Sequence, residues 1–325
     1  MDKKDLINAY AAGAMEGDGS FCITRRPGKY VKYVANANIG KSSKELAGFF
    51  VSTFGGNLNI RGDQYSWSIS SSTRVLPFLE TILPYLQMKK ERVQFLLTWL
   101  KEGMKNKEIA YEEMKRQNLL VNKELIDCEN KTIDLDEKKW AYIAGLMDTD
   151  GSFMISKRIA HNGMKNPNYV AKISYGEKDA RPPLFIRNTF SKGFIALKEN
   201  SGCENGRFVW ELVVKEEMIQ FIKLVLPYLK VKKPNAEILL NFCENFNPVR
   251  KGHRFGIPKE ELEFREKCYL DLKKYQRRGN CDLFKSSLMD LDALTYNDEG
   301  NKAEAAKACT VNVASEKTPK GDAVL

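Results

Sequence analysis

Two aspartates, Asp18 and Asp150, stand in nearly identical contexts that lie far apart in the chain. One context reads AAGAMEGDGSF from Ala11, and the other reads IAGLMDTDGSF from Ile143. Each joins a small-residue apolar stretch, typical of a helix, to an acid-x-acid-Gly turn that leads into a strand. A helix C-terminus carries partial negative charge and free carbonyl groups, so an aspartate there attracts a hard cation. Two such ends side by side predict a Mg²⁺ site with oxygen ligands, at which Mn²⁺ can substitute.

The residues that precede these aspartates divide into two groups. Gly17 and Thr149 are further candidate metal ligands, because main-chain carbonyls at a helix end can coordinate a cation. Glu16 and Asp148 lie two positions before the aspartates, and residues two apart on a helix do not share a face. We therefore assign these two acids a structural role where the helices meet. For a single copy, a polar residue before a glycine would be the simpler interpretation of the aspartate; the second copy favours metal ligation.

Two lysines complete the candidate catalytic set. Lys89 and Lys232 occupy matching places in the segments LPYLQMKK, from Leu83, and LPYLKVKK, from Leu226. A lysine near a metal site can stabilise the charge of a phosphoryl transition state. Without the repeat, a solvated surface lysine would be the preferred interpretation of either residue.

The matching segments recur in the same order along the chain, which indicates a tandem duplication. Each half is predicted to contain a helix, two strands, a helix, two strands and further helices, an α+β architecture. Expected helices include Lys4–Gly17, Lys44–Phe54, Arg74–Leu86 and Glu91–Gly103. Small residues in the first helix of each half predict that these two helices pack closely against each other.

Polar side chains occupy one face of the predicted strands. Asn, Gln and Arg can pair with base edges, and Lys, Ser and Thr suit phosphates, so this face is predicted to bind double-stranded DNA. The solvated face of any antiparallel sheet is also polar, which is the alternative interpretation. The candidate DNA-binding residues of this face are Thr24, Arg26, Lys32, Asn36, Asn38, Asn57, Asn59, Arg61, Gln64, Ser66, Ser68, Ser156, Arg158, Lys172, Ser174, Lys198 and Arg207.

Composition supports a nucleic-acid partner and excludes several other classes. The 325 residues carry a formal net charge of +10, which favours a polyanion, and 43% of them are hydrophobic, enough for a core. Only two histidines are present, which argues against a histidine-based nuclease. The seven cysteines are scattered and odd in number, so neither a disulfide framework nor a zinc site is expected. No apolar run suggests a membrane span or a secretory signal, and we expect an intracellular protein of an organelle or a microbial cytoplasm.

The expected organisation has five parts. A first domain covers residues 1–103, a linker with helical character 104–136, and a second domain 137–250. A helical extension follows over 251–295, with one capped helix from Pro258 to Gly279, and a polar, disordered tail occupies 296–325.

The two motifs resemble the LAGLIDADG signature, and the whole pattern is similar to the single-chain, two-domain LAGLIDADG homing endonucleases over roughly Lys4 to Phe246. The resemblance implies two pseudo-symmetric αββαββα domains, with the motif helices at their interface and saddle-shaped antiparallel sheets on DNA. It implies a monomer that cleaves a long, asymmetric duplex site and leaves short 3′ overhangs. The metal-binding acids of the family correspond to Asp18 and Asp150, and its active-site basic position corresponds to Lys89 and Lys232.

The chain also departs from the family pattern. Lys41 and Glu177, which complete the candidate DNA-binding set, stand where members of the family commonly carry Gln near the reactive water. We therefore expect the two half-sites to be inequivalent. Two other functions remain open: a maturase that binds intron RNA without catalysis, and a transcription regulator on a degenerate nuclease scaffold. The second would require an added helix-turn-helix, for which the C-terminal helix offers no evident partner.

Overall fold

Each half of the chain folds into a four-stranded antiparallel sheet covered by helices. The computed structural model of the protein describes residues 2–125, 132–158, 166–199, 206–246 and 257–276. The first half contains α1 (Lys3–Gly17), β1 (Gly19–Arg26), β2 (Lys32–Ser42), α2 (Lys44–Phe54), β3 (Asn57–Arg61), β4 (Gln64–Ser70), α3 (Ser72–Ile82), a 3-10 turn (Leu83–Tyr85), α4 (Lys90–Lys101) and α5 (Lys107–Leu119).

The second half repeats this order. It contains α6 (Glu137–Thr149), β5 (Gly151–Arg158), β6 (Asn168–Glu177), α7 (Arg181–Phe190), β7 (Phe194–Lys198), β8 (Arg207–Leu212), α8 (Lys215–Val225), α9 (Lys233–Asn245) and α10 (Lys259–Gln276). The sheets have the orders β1-β2-β4-β3 and β5-β6-β8-β7, so their topology is the same. The α+β class, the duplication and the αββαββα pattern predicted from the sequence are confirmed.

Strand register follows the hydrophobic alternation of the sequence. In the first sheet Gly19 pairs with Ile39, and Ile39 pairs with Trp67; in the second sheet Gly151 pairs with Tyr175. One face of each sheet carries the large buried side chains, such as Trp67 and Trp210, and packs under the helices. Since successive side chains of a strand point to opposite faces, the polar residues share the other, uncovered face.

Capping and turn residues place the element ends where the sequence indicated. Helix α2 begins after Ser43, whose hydroxyl accepts a hydrogen bond from the Leu46 N–H at 3.1 Å, and ends at Gly55, which has a φ of 68°. The β3–β4 hairpin turns at Gly62, which has a φ of 56°. These bounds confirm the predicted helix Lys44–Phe54.

Helix α3 is shorter than predicted. The expected helix Arg74–Leu86 ends at Ile82, and the 3-10 turn that follows contains Pro84. Pro84 has no N–H group to donate to the carbonyl four residues earlier, and at this point the chain leaves the α-helical pattern, although α3 does accommodate Pro77.

Helices α1 and α6 pack against each other along their small-residue faces. A Cβ atom on Gly13 would lie 2.0 Å from the main-chain oxygen of Tyr142, and one on Gly145 would lie 2.2 Å from that of Tyr10. No Cβ fits at such distances, so glycine is required for the two backbones to approach this closely. The predicted close packing of the two motif helices is confirmed.

Two outer helices, α5 and α10, occupy equivalent places in the two halves. Helix α5 lies within the segment 104–136 that was predicted to be a linker with helical character, and it packs on β1 and α4. Helix α10 packs on β5 and α9 and confirms a helix within the range predicted between Pro258 and Gly279, while Gly279 and the predicted tail lie outside the described residues. Both outer helices thus cover the first strand of their half.

Each outer helix makes one set of contacts that recurs in the other half: a glutamate and a tyrosine of the helix both meet a tyrosine of the sheet. Glu108 accepts a hydrogen bond from Tyr33, and Tyr111 meets the ring of Tyr33 edge-on with centroids 6.0 Å apart. In the second half, Glu266 accepts a hydrogen bond from Tyr169, and the Tyr169–Tyr269 centroid distance is 6.2 Å. The duplicated unit therefore includes the outer helix.

Two further expectations concern thiols and membranes. In the described ranges Cys22, Cys243 and Cys268 are free thiols. No helix of those ranges has both the length and the apolar composition required to cross a membrane.

Candidate active site and nucleic-acid interface

The two aspartates lie at adjoining helix ends. Asp18 caps α1, and its N–H donates to the Ala14 carbonyl at 3.1 Å; Asp150 caps α6, and its N–H donates to the Leu146 carbonyl at 3.1 Å. A Cβ on Gly17 would lie 2.0 Å from the Thr149 hydroxyl oxygen, so the last turns of the two helices are in direct contact. The sequence-predicted ligands Asp18, Asp150, Gly17 and Thr149 therefore stand on one joint between the domains.

The neighbouring acids Glu16 and Asp148 tie the two domains together. The Tyr142 hydroxyl of α6 donates to Glu16, and the Tyr10 hydroxyl of α1 donates to Asp148 at 2.7 Å. Each carboxylate is buried and is held across the helix contact by the tyrosine of the opposite helix. The structural role predicted for these two acids is confirmed.

The same two acids fix the segments that carry the lysines. The Glu16 carboxylate accepts backbone hydrogen bonds from Gln87, Met88 and Lys89 at 2.5–2.9 Å. In the same way Asp148 accepts from the backbone of the segment 230–232 at 2.7–3.1 Å. Because a carboxylate that accepts several N–H bonds holds the backbone rigidly, each acid sets the position of the lysine at the start of the following helix.

Lys89 and Lys232 border the two aspartates. Lys89 Nζ donates to the carbonyls of Met15 and Gly19 at 2.9 and 2.7 Å, on both sides of Asp18 in the chain. Lys232 Nζ donates to the carbonyls of Thr149 and Gly151 at 2.6 and 2.7 Å, on both sides of Asp150. The Thr149 carbonyl, a candidate metal ligand, thus already accepts a hydrogen bond from an ammonium group.

Electrostatics show that groups from both domains converge. Burial lowers the pKa of Lys89 to about 8, although Glu16, Glu177 and Asp150 oppose the shift. Burial raises the pKa of Glu16 to about 7, against the backbone hydrogen bonds and the Lys89 charge that favour its ionised form. Burial also raises the pKa of Glu177, and the nearby Asp150 carboxylate adds to it. Lys89 of the first domain therefore lies within the field of two acids of the second.

The oxygen donors of this site suit a hard divalent cation whose remaining ligands are a substrate phosphate and water. No three His, Cys, Asp or Glu side chains in the described ranges form a cluster that could hold a metal ion. Magnesium in proteins is commonly held by one or two carboxylates together with substrate phosphates and water. Asp18 and Asp150 supply two carboxylates, and the helix ends supply carbonyl oxygens, so this oxygen set matches that mode and no softer one.

The uncovered face of the first sheet forms a groove of about 510 Å³. Six of the predicted DNA-binding residues line it: Thr24, Arg26, Asn36, Asn38, Ser66 and Ser68. Cross-strand pairing places five more on the same face, namely Lys32 opposite Arg26, Asn57 opposite Ser68, Asn59 opposite Ser66, and Arg61 opposite Gln64. The Asn36 amide donates to the Thr24 hydroxyl at 2.5 Å, so this pair acts as one unit. Lys41 lies in β2, and its side chain is outside the described set.

The uncovered face of the second sheet carries the remaining candidates and one acid. Alternation places Ser156, Arg158, Lys172, Ser174, Lys198 and Arg207 on this face. Glu211 of β8 lies among them, pairs with Ser174, and receives hydrogen bonds from Lys172, at 2.9 Å, and from Lys198. Burial alone would raise the pKa of Glu211, but the two lysine hydrogen bonds outweigh it and lower the pKa. Glu177 stands apart from this set, half-buried at the end of β6.

Sequence reasoning missed two residues, one on the second sheet face and one buried beneath it. Glu211 has the outward parity of β8, so strand alternation was sufficient to place it on the face. Tyr175 has inward parity and a Gly151 partner, which placed it beside Asp150. The sequence signal that could have identified Tyr175 was a polar hydroxyl at a strand position that faces the core.

Comparison with solved structures identifies the same fold in DNA-bound proteins. The structure of the I-SmaMI LAGLIDADG homing endonuclease bound to cleaved DNA matches with a TM-score of 0.62 and 17% identity, covering 83% of this chain and 98% of that one. The I-AabMI meganuclease bound to uncleaved DNA matches with a TM-score of 0.61 and 15% identity, covering 81% and 98%. The I-LtrWI homing endonuclease bound to target DNA matches with a TM-score of 0.60 and 15% identity, covering 86% and 99%.

Neither a family model nor a curated protein sequence matches the chain. The structural matches nevertheless extend over most of the chain and nearly all of each relative. The chain therefore has the two-domain fold of the LAGLIDADG homing endonucleases, as its paired motifs predict.

Proposed function

We propose that this protein is a site-specific DNA endonuclease that hydrolyses one phosphodiester in each strand of a long, asymmetric duplex site. The observation that carries the proposal is the meeting of two helix C-termini, each ending in an aspartate and each bordered by a lysine held at 2.6–2.9 Å from adjacent carbonyls. Relatives of this fold were solved on DNA, and their single chains support a monomer with double-stranded DNA as its partner.

Each group of the joint has a distinct part in the proposed reaction. Asp18 and Asp150 would hold Mg²⁺ or Mn²⁺, with ligands completed by the scissile phosphates and by water. The chemistry that such ions supply when bound is neutralisation of phosphoryl charge and activation of water. Lys89 and Lys232 stabilise the negative charge that develops on the phosphoryl oxygens.

The two polar sheet faces bind the duplex on either side of the joint. Arg26, Arg61 and Arg158 stand on these faces, where arginine can contact guanine edges or phosphates. The net charge of +10 supplies the sequence-independent part of the attraction. Because the two faces carry different residues, the proposal includes different half-sites and unequal cleavage of the two strands.

The first experiment is selection of cleaved sites from a randomised or genomic DNA library with Mg²⁺ and without RNA. Asp18→Asn and Asp150→Asn, tested on a recovered site, are expected to abolish double-strand cleavage and to leave DNA affinity within a few-fold. Asp271→Asn, on the outer helix α10, is the control and retains cleavage. Double-strand cutting by either signature variant would remove that carboxylate from the mechanism.

The same experiment separates the nuclease from the maturase alternative. Cleavage of naked DNA in the absence of RNA supports the nuclease. Failure to recover any cleaved site, together with tight binding of a structured intron RNA, would favour the maturase, which no contact described above requires.

A further inference from the structure

The Tyr175 hydroxyl is a buried polar group that the mechanism above does not use. The side chain of Tyr175 is fully buried in β6, and its hydroxyl oxygen has no hydrogen-bond partner in the described ranges. Buried hydroxyls in folded proteins nearly always have a partner, and an unpaired one is destabilising. A tyrosine in which phenylalanine would fill the same space therefore requires a reason.

Backbone pairing places Tyr175 beside the metal-binding end of the second half. Tyr175 pairs across the sheet with Gly151, the residue after Asp150, and with Trp210 of β8. Ile39 occupies the equivalent position of the first half, where it pairs with Gly19 and Trp67. The hydroxyl is therefore an addition to the second half that the first half lacks.

The carboxylates of the joint surround this hydroxyl electrostatically. Burial raises the pKa of Tyr175 well above its usual value, and Asp150, Glu177, Glu16 and Asp18 add to the shift in that order. Acids from both domains therefore act on one oxygen atom. Because the phenol stays protonated at neutral pH, it can serve there only as a hydrogen-bond donor to an anion and never as a base.

Asp150, the carboxylate with the largest effect on Tyr175, is a suitable acceptor for its hydroxyl. None of the side-chain hydrogen bonds seen within the described ranges ends on the Asp150 carboxylate, and Lys232 Nζ donates to the carbonyls of Thr149 and Gly151, on either side of it. A carboxylate that is to bind a cation gains from a donor that fixes its orientation, and such outer partners change metal affinity by about 10–100-fold. An unused donor and an unused acceptor thus stand at the same end of the site.

We propose, on the basis of the nuclease function above, that Tyr175 is a positioning residue: its hydroxyl is the donor that orients the Asp150 carboxylate for cation binding. The interaction forms when the Asp150 side chain turns toward the hydroxyl. Ile39 occupies the equivalent position of the first half and has no hydroxyl, so this interaction belongs to the second half, and its loss slows the strand cut at the Asp150 side.

Tyr175→Phe removes only the oxygen atom and tests this role with three measurements on the full chain. Mn²⁺ affinity, measured by calorimetry without DNA, falls about 10-fold. The midpoint of urea unfolding without metal stays the same or rises, because the lost hydroxyl has no partner. On a cleaved duplex, one strand is cut about 10–100-fold more slowly and nicked product accumulates.

Two comparisons identify the partner. Tyr169→Phe removes a hydroxyl from the same strand, one that is bonded to Glu266 on α10, and leaves Mn²⁺ affinity unchanged. In an Asp150→Asn background, Tyr175→Phe causes no further loss of Mn²⁺ affinity, because the carboxylate that it orients is already gone.

Unchanged Mn²⁺ affinity in Tyr175→Phe, or equal slowing of both strands, overturns the positioning role. A drop in unfolding midpoint with no change in Mn²⁺ affinity also overturns it, since that result assigns the hydroxyl to packing. Weakened Mn²⁺ binding in a protein that cuts no DNA would instead support the positioning role and refute the nuclease. If the unmodified chain binds no Mn²⁺, both proposals fail together.

Discussion

The contact between α1 and α6 predicts a large effect from the smallest possible substitution, Gly13→Ala. The added Cβ would stand 2.0 Å from the Tyr142 main-chain oxygen, 2.9 Å from the Tyr142 carbonyl carbon and 3.2 Å from the Leu146 nitrogen. All three are backbone atoms of α6 and cannot rotate away. The helices must therefore separate by about 1 Å, since packed interiors leave no void to absorb the methyl group.

The expected cost follows from two opposing effects. Overpacking a core costs about 1–3 kcal/mol, and a clash with helix backbone belongs at the upper end of that range. Alanine in place of glycine stabilises a helix by about 1 kcal/mol through its higher helix propensity. The net destabilisation of Gly13→Ala is therefore about 2 kcal/mol, equivalent for a chain of this size to a fall in Tm of about 3–4 °C.

Helix α2 offers a matched control. Gly48 is an exposed glycine within that helix, and a Cβ there would meet nothing within 4 Å. Gly48→Ala should gain about 1 kcal/mol from propensity alone, so the two alanine variants should differ by about 3 kcal/mol. Urea unfolding followed by circular dichroism measures both.

The same substitution should impair catalysis more than it impairs folding. Separation of the helices moves Asp18 relative to Asp150, and a misplacement of about 1 Å can cost about 100-fold in rate. Cleavage by Gly13→Ala, assayed below its unfolding temperature, is therefore expected to fall about 100-fold while Gly48→Ala stays active. A Gly13→Ala protein as stable and as active as Gly48→Ala would refute the close helix contact on which the site depends.

Two further predictions concern charged side chains away from the joint. Glu211→Gln should tighten non-specific DNA binding and steepen its salt dependence, because it removes a negative charge from the second sheet face and releases Lys172 and Lys198. Binding titrations at salt concentrations of about 50 to 200 mM test this prediction, and an unchanged salt dependence would contradict it. The pKa of Glu211 is lowered in the folded protein, so its carboxylate stabilises the fold above its ordinary pKa of about 4.3, and the contribution disappears as pH falls through the lower folded value. Acid unfolding curves of Glu211→Gln should lack that component. Glu266→Ala should lower the free energy of unfolding by about 1 kcal/mol and Glu108→Ala by less than about 0.5 kcal/mol, because side-chain exposure is 33% for Glu266 and 56% for Glu108. Equal unfolding midpoints of the two variants would contradict this prediction.

Much of the fold could be predicted because its determinants are local. The alternation of apolar residues indicated the strands, and Gly55, directly after Phe54, marked the end of α2. The repeated motif fixed more than local structure, because small residues such as Gly13 and Gly145 are useful only where two backbones meet. Glu16 and Asp148 were placed at that contact by helix geometry alone.

The equivalence of the two outer helices was missed, although the sequence contains it. The segments EIAYEEMK, from Glu108, and EKCYLDLK, from Glu266, share an acid, an aromatic and a lysine at the same spacing. Surrounding residues differ, and the loops between the halves change the offset, so the similarity is visible only once both helices are seen against the first strand of their half. The contacts of Tyr33 and Tyr169 then explain why these positions match.

Side-chain partnerships were the least predictable part. Parity placed Asn36 and Lys172 on the correct faces, but it could not show that the Asn36 amide is engaged by Thr24 or that Lys172 is paired with Glu211. Such partnerships depend on cross-strand register, which joins residues far apart in the chain. Likewise, the environment of Tyr175 arises from four acids of two domains.

The two halves of the chain differ in certain kinds of residue. Both halves keep the aspartate, the lysine and the small-residue helix, as the proposed cleavage of two strands requires of each half. The differences fall beside these groups and on the sheet faces: Tyr175 stands opposite Ile39 in the repeat, and Glu211 stands opposite Ser68. A carboxylate can accept a hydrogen bond from a cytosine amino group and repels a phosphate, whereas a serine hydroxyl does neither to the same degree. Under the proposed function we therefore expect the two faces to prefer different sequences, so that a palindromic duplex is bound less tightly than an asymmetric one.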